Sequence, residues 1–220
     1  MRARIAVFLG AAAAAAIATA HADTNHDELW IGGAARALRS SSANALTGDN
    51  LAGTSFGYAR DLGLPVVPGL ALWADAGMTT GSADGTMFQS LSTEITTIGL
   101  TGGLRARYQL HRLIAASAQV SLGAQRARVA ITDHAGTSAS DHGWGALAEA
   151  CAALDLFAVA HPPFGIGVRV ELGYVVARAI SLTARRPASG DVLTLPMQEV
   201  GLGGLDLSGP AFALSLVGQF

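Results

Sequence analysis

Apolar and polar side chains alternate along most of this chain with a period of two. The clearest case is Pro210–Phe220, P-A-F-A-L-S-L-V-G-Q-F. Phe212, Leu214, Leu216, Gly218 and Phe220 fall on one face, and Ala211, Ala213, Ser215, Val217 and Gln219 on the other. In an extended chain successive side chains point to opposite faces, so this pattern predicts a strand with one apolar face and one small or polar face. The same alternation predicts seven earlier strands, over Glu28–Leu38, Thr54–Leu62, Leu70–Thr79, Glu94–Tyr108, Ile114–Val129, Trp144–Leu156 and Gly165–Arg178. In the seventh, Ile166, Val168, Val170, Leu172, Tyr174 and Val176 oppose Gly167, Arg169, Glu171, Gly173 and Val175.

The connections between these strands sort by parity. Arg39–Gly53, Thr80–Thr93 and Ile131–Gly143 are long and polar, as is a fourth segment holding Arg185–Asp191. Gly63–Gly69, Gln109–Leu113 and Ala158–Phe164 are short. A soluble meander has no reason to alternate its loop lengths. A barrel crossing an outer membrane has one, with short turns on the periplasmic side and longer loops outside. The closing region runs from about Glu199, with a bulge or kink expected at Ser208-Gly209-Pro210.

Composition narrows the class. Hydrophobic residues make up 50% of the chain, charged residues only 14%, and mean hydropathy is +0.39. A soluble domain carries about 25% charged residues, so much of this surface is expected to avoid water. A soluble lipocalin-like barrel, with apolar side chains inside and charges along the outside, fits that deficit poorly. Past the first residues there is no run of ~18 uncharged apolar residues for a membrane-spanning helix, whereas strands need only alternate apolar positions. Residues 1–22 read as a secretory signal, with Arg2 and Arg4, the apolar run Ile5–Ile17 and the cleavage site Ala20-His21-Ala22. Residues 23–220 are then the exported domain. Removing two arginines and no acid takes the net charge from −2 to −4, which gives no support for a nucleic-acid partner. All 14 basic residues are Arg, a composition bias rather than a phosphate-binding design.

These features together resemble the small eight-stranded outer-membrane proteins of the OmpA transmembrane domain, OmpX and OmpW types. The resemblance covers about residues 27–220 and rests on the strand count, the loop parity and the terminal Phe220. It implies an all-β, eight-stranded antiparallel up-and-down transmembrane β-barrel in the outer membrane. It also implies contact with outer-membrane lipid and lipopolysaccharide, and recognition of Phe220 as an assembly signal by the barrel assembly machinery. Unlike in full-length OmpA, no peptidoglycan-binding domain is expected after the barrel, and the outward face is unusually rich in Ala.

On this reading Asp75, Arg105, Arg107, Glu149, Asp155, Arg169 and Glu171 lie opposite the apolar rows and form a charge network in the lumen. An eight-stranded barrel is narrow enough for side chains to fill. The balance of both signs favours pairing over the one-sign ring of an ion-selective pore. Tyr58, Tyr108, Trp144, Tyr174 and Phe220 fall near strand ends and are expected to form an aromatic girdle at the membrane interfaces. Arg126 and Arg128 fall on the apolar face of the fifth strand, far enough from the turn to clear the hydrocarbon.

Other chemistry is weaker. Asp133, His134, Asp141 and His142 flank one loop without a fixed ligand spacing, so no metal is expected. Ser138 or Ser140 with His134 or His142 lacks the motif of a lipid-acting hydrolase. Gly201-Leu202-Gly203-Gly204 does not open a helix, so no cofactor is expected there. Cys151, the only cysteine, has no activating neighbour in sequence.

The function expected is non-enzymatic, a structural or surface-interaction role through four external loops and a ligand yet unknown. The alternatives are a porin-like narrow channel or carrier for small or hydrophobic solutes, and a lipid-modifying enzyme. Deleting Phe220 is expected to lower the amount of protein assembled in the outer membrane and to leave chain in the periplasm for proteolysis. Fractionation and immunoblotting measure both; normal surface levels would remove the terminal aromatic from the assembly signal.

Overall fold

The structure, a computed structural model, describes residues 27–48, 50–64, 68–87, 91–134, 136, 138–161, 164–184 and 200–220. The expected leader 1–22, part of the turn at 65–67, Pro162-Pro163, and the segment 185–199 with Arg185–Asp191 lie outside the described residues. The elements in chain order are β1 (Asp27–Ala37), α1 (Ser41–Leu46), β2 (Asn50–Asp61), β3 (Leu70–Met87), β4 (Leu91–His111), β5 (Ile114–Asp133), β6 (Ser138–His161), β7 (Phe164–Ala177), β8 (Ile180–Ala184), β9 (Val200–Leu205) and β10 (Gly209–Gln219).

Strands β1–β7 and β10 form a closed antiparallel barrel of eight strands, each paired with its neighbours in sequence and β10 with both β7 and β1. Closure leaves no sheet edge within the barrel wall, which a lipid environment demands because it offers no partners for free N–H and C=O groups. The seam is regular, from Glu28↔Gln219 to Arg36↔Ala211. It is finished by two backbone bonds, Asp27 N–H to Phe220 C=O at 2.8 Å and Phe220 N–H to Asp27 C=O at 3.0 Å. The chain enters and leaves at one end, the turn end, where the short connections also lie. α1 and the β8–β9 hairpin lie at the other, the loop end.

The outer surface is a belt of exposed apolar side chains, among them Ile31, Leu100, Leu104, Val120, Leu122, Leu154, Ile166, Leu172, Leu214 and Leu216. The side chains between them point inward. This arrangement, apolar out and polar in, is that of a membrane-spanning barrel.

Two expected loops turn out to be strand. Thr80–Thr93 and Ile131–Gly143 continue the ladders as far as Met87↔Leu91 and Thr132↔Ser138. β3, β4, β5 and β6 are therefore 18, 21, 20 and 24 residues long, against the ~9–11 that cross a bilayer. They were missed because the alternation changes sign along each strand. Within the belt the outward positions are apolar. Above it they become Thr80, Ser82 and Asp84 on β3, Ser92, Glu94 and Thr96 on β4, Arg126 and Arg128 on β5, and Ser140 and His142 on β6. The inward positions become Ala83, Ile95, Ala127 and Val129, all buried. Polar residues at every second position of a strand wetted on one face read as loop when only the membrane pattern is sought. Arg39–Gly53 is likewise only partly loop, since it holds α1 and the first four residues of β2. The bulge or kink expected at Ser208-Gly209-Pro210 falls where the chain passes from one sheet to the other, so the closing region is two strands rather than one. The chain breaks between β9 and β10, with Ser208 bonded to Asp206 and to both backbone groups of Ala177, and β10 then pairs regularly from Gly209.

The extension carries its own core. Leu38, Ala43, Leu46, Leu51, Ala83, Ile95, Ala127, Val129, Ile180, Leu182, Leu205 and Leu207 form one buried apolar cluster. α1 is too short to hold by itself; it is fixed by burying Ala43 and Leu46 and by the Thr93 hydroxyl, which donates to the Leu46 carbonyl. β8 lies against the inner face of β6, where a side chain at Gly143 would collide with Ile180. The Thr183 N–H donates to Asp141 Oδ2 at 2.7 Å.

The change of solvent along β6 can be tested on one face of one strand. Ala150→Arg places a charge in the belt and is expected to cost about 2–4 kcal/mol of stability in a bilayer. Ser140→Arg, ten residues up the same face, is expected to stay within ~0.5 kcal/mol of wild type. Urea unfolding in lipid vesicles measures both, and equal midpoints would contradict the facing described.

Candidate functional site: the barrel lumen

The inward side chains of the turn-end half are packed around an ionic cluster. Arg105 and Arg107 come from β4, Arg169 from β7, Asp155 from β6 and Glu28 from β1. Alternation forces each of them inward, because the outward positions beside them are Leu104, Ala106, Val168, Leu154 and Leu29. Glu28 is fully buried and is the hub. Its carboxylate accepts from Arg105 Nη1 at 2.6 Å, Arg169 Nη2 at 2.7 Å, Arg107 Nη1 at 3.2 Å and Gln219 Nε2 at 3.2 Å. Asp155 takes Arg169 bidentately, Nε at 2.6 Å and Nη2 at 2.9 Å, with Arg107 Nη2 at 3.5 Å. Bidentate carboxylate–guanidinium pairs are among the strongest and most directional of charged contacts.

Aromatic rings close the cluster. The Arg105 guanidinium lies 4.9 Å and that of Arg169 5.9 Å from the Trp30 ring centre. Arg107 lies 5.5 Å from Trp73 and 5.1 Å from Phe157. Cations stacked on ring faces gain most where water is excluded. The Trp30 ring lies over Gly57, where any side chain would overlap it; Gly57 is what admits the ring. Trp30, Trp73, Phe157, Ala59 and Val217 form the second apolar cluster, at this end of the lumen.

Gln119 links the cluster to the middle of the barrel. Its Oε1 accepts from Arg105 Nε at 3.2 Å, and its Nε2 donates to Asp75 Oδ1 at 3.0 Å and Ser121 Oγ at 2.9 Å. Above it a cavity of about 80 Å³ is lined by Arg36, Glu149, Cys151 and Glu171 among others, room for several waters. Arg36 Nη1 donates to Gln125 Oε1 at 2.9 Å and to the Leu207 carbonyl at 3.3 Å, so this residue reaches the loop-end core.

The seven expected lumen charges are thus not one network. Arg105, Arg107, Asp155 and Arg169 are brought together. Asp75 joins through Gln119. Glu171 stands 4.0 Å from Arg169 Nε, and Glu149 lines the cavity with no ion pair among the described residues. Sequence reasoning missed Glu28, Trp30, Arg36 and Gln119. Glu28, Trp30 and Arg36 share the parity of the inward face of β1, which was the available signal; their convergence with β4 and β7 follows only from closure.

Of the expected girdle, Tyr108 is exposed at the turn end, Trp144, 61% exposed, lies near the loop end, and Tyr174 is exposed in the belt beside Ala150. The Tyr58 hydroxyl donates to Asp27 Oδ1 at 2.5 Å, and Phe220 sits at the seam. Phe164, 66% exposed at the turn end, is an aromatic that the sequence reading left out. Asp141 and His142 point to opposite faces of β6, and among the described residues no group of three His, Cys, Asp or Glu side chains is placed to hold a metal. Ser140 and His142 share the outward face of β6, with no hydrogen bond between their side chains. Gly201–Gly204 lies in β9, not at a helix start.

No family model matches this sequence, and no curated protein matches it. Among solved structures, the chain is similar to Ail, the attachment invasion locus protein of Yersinia pestis, in complex with the heparin analogue sucrose octasulfate. The identity is 13%, over 89% of this chain and 99% of that one, with a TM-score of 0.49. It is also similar to the translocator domain of the autotransporter NalP from Neisseria meningitidis, at 11% identity over 97% and 95% of the two chains, TM-score 0.42.

The cluster sets a stability ranking. Glu28→Ala leaves three guanidiniums around an empty position and is expected to cost about 3–5 kcal/mol. Glu171→Ala removes a carboxylate that is 16% exposed and 4.0 Å from an arginine that keeps two others, and is expected to cost about 1 kcal/mol. Urea midpoints in detergent micelles give the order; a reversed order would displace Glu28 as the hub.

Proposed function

We propose that this protein is a non-enzymatic outer-membrane barrel with a closed lumen, acting at the cell surface through the extension of its loop end. The observation that carries this reading is that the lumen is filled twice. At the turn end it is filled by the guanidinium–carboxylate cluster and its aromatic rings. At the loop end it is filled by the apolar core under α1 and the β8–β9 hairpin. A solute would have to pass a dry apolar layer and then a layer of paired charges. Passage of an ion is favoured by a hydrated path with one sign of charge, and neither layer provides one.

In this reading the turn end faces the periplasm and the extension stands outside. Its outward face, with Ser92, Glu94, Thr96, Ser140 and His142, meets water and any external ligand. The belt meets lipid, and the end of β10 is what the assembly machinery would read. A carrier or channel role would need the two layers to part. The surface role needs them fixed, which the cross-lumen bonds of Glu28 and Arg36 favour.

Planar-bilayer recording of the pure protein is the test. Wild type is expected to give no steady conductance. Steps of a single reproducible size, lost on denaturation, would retire the closed-lumen reading in favour of a channel.

A further inference from the structure

We propose that the cavity in the middle of the lumen binds one alkali-metal cation, with the carboxylates of Glu149 and Glu171 and the Ser55 hydroxyl as its ligands, directly or through water, and that the packed layers on either side seal it in. This goes beyond the closed-lumen reading above and rests on it.

The charges of the interior do not balance. Between the aliphatic core and the turn-end rim, the inward charged side chains among the described residues are Glu28, Asp75, Glu149, Asp155 and Glu171 against Arg36, Arg105, Arg107 and Arg169. Five carboxylates face four guanidiniums, which leaves one negative charge. Arg105, Arg107 and Arg169 are turned to Glu28 and Asp155. Arg36 lines the cavity, but its Nη1 is turned to Gln125 Oε1 and the Leu207 carbonyl. Glu149 and Glu171 both line the cavity. Among the described residues Glu149 has no ion pair, and the nearest guanidinium nitrogen to Glu171 is Arg169 Nε at 4.0 Å. The wall around them is bathed in lipid, and a carboxylate without a counter-charge is costly there. Only a cation or a proton offsets it.

The other side of the cavity presents hydroxyl oxygens. β2 stands across the ring from β6, four places away in either direction. Ser55, on the inward face of β2, lines the cavity and is 6% exposed, and its Oγ has no hydrogen-bond partner. Thr97 and Thr101 of β4 line it too. Their hydroxyls donate to the Gly81 and Gly77 carbonyls, both at 3.4 Å, which leaves the oxygen lone pairs for another partner. A proton would neutralise one carboxylate and do nothing for Ser55. A cation with its waters serves both sides, because carboxylate and hydroxyl oxygens are ligands for hard cations, and about 80 Å³ gives room for an ion and water. Two observations select a single charge. The excess is one, and among the described residues no group of three His, Cys, Asp or Glu side chains is placed to hold a metal. Calcium takes about six to eight oxygens, several of them from carboxylates.

The full chain is folded into detergent micelles, and its urea unfolding is followed across a range of sodium chloride, with choline chloride holding the ionic strength constant. Wild type is expected to gain about tenfold in its folding equilibrium constant for each tenfold rise in sodium above the dissociation constant, as binding of one ion requires. Glu149→Gln is expected to lose this dependence. Ser55→Ala, which removes no charge, is expected to keep it with the curve displaced to about five-fold higher sodium. Glu94→Gln, on the outer face in water, is expected to follow wild type. Crystals of protein folded in rubidium chloride are expected to show an anomalous peak in the cavity beside Glu149.

A wild-type folding equilibrium indifferent to sodium would overturn the site, as would a sodium dependence unchanged in both Glu149→Gln and Ser55→Ala. Crystals without rubidium in the cavity would do the same. A protonated-carboxyl infrared band at neutral pH in sodium, removed by Glu149→Gln, would give the extra charge to a proton instead. Each of these results leaves the closed lumen standing. A steady sodium current through planar bilayers would retire the closed lumen, and the sealed ion with it.

Discussion

Glu28 ties the barrel together across its own interior. It sits on the first strand, and its carboxylate is gripped by arginines from β4 and β7, far along the chain and not neighbours of β1 in the wall. Backbone ladders join each strand only to its neighbours, and a tube so joined can still flatten. Hydrogen bonds across the lumen oppose flattening and fix how the turn-end side chains interlock. They also exact a constraint: a buried carboxylate facing three guanidiniums holds only if every partner arrives together. The stacking of those guanidiniums on Trp30, Trp73 and Phe157 keeps water from competing for them.

The second constraint is that the solvent changes along the strands. Over about ten residues lipid lies outside, and the polar side chains turn in. Above that, water lies outside, and the same strands turn their apolar side chains in. β3–β6 cross this border without breaking their ladders, so one continuous sheet wall serves two cores of opposite character, ionic below and aliphatic above. α1 and the β8–β9 hairpin exist to cover the upper one, since a four-strand wall by itself would expose Ile95 and Val129 to water. Arg126, Arg128 and Arg178 stand exposed on the outside at this border.

Much of this was legible in the residues alone. The alternation in Pro210–Phe220, in β7 and in the other membrane stretches, with the charge deficit, determined the strand number, the closed antiparallel order and the inward direction of Asp75, Arg105, Arg107, Asp155 and Arg169. These are local consequences, since parity along an extended chain decides which side a residue faces whatever its neighbours do. Three things were decided only by tertiary structure. The ladders beyond Thr79 and Val129 became strand because a lid was available to bury their inner face. Glu28 became the hub because closure through β10 set β1 two strands from β7 and three from β4 around the same lumen, and register across a barrel depends on every strand between. Glu149 stayed out of the ionic cluster, although its parity matches that of Asp155, because six residues of rise along β6 separate them, and distance along the barrel axis is not visible in which face a residue takes.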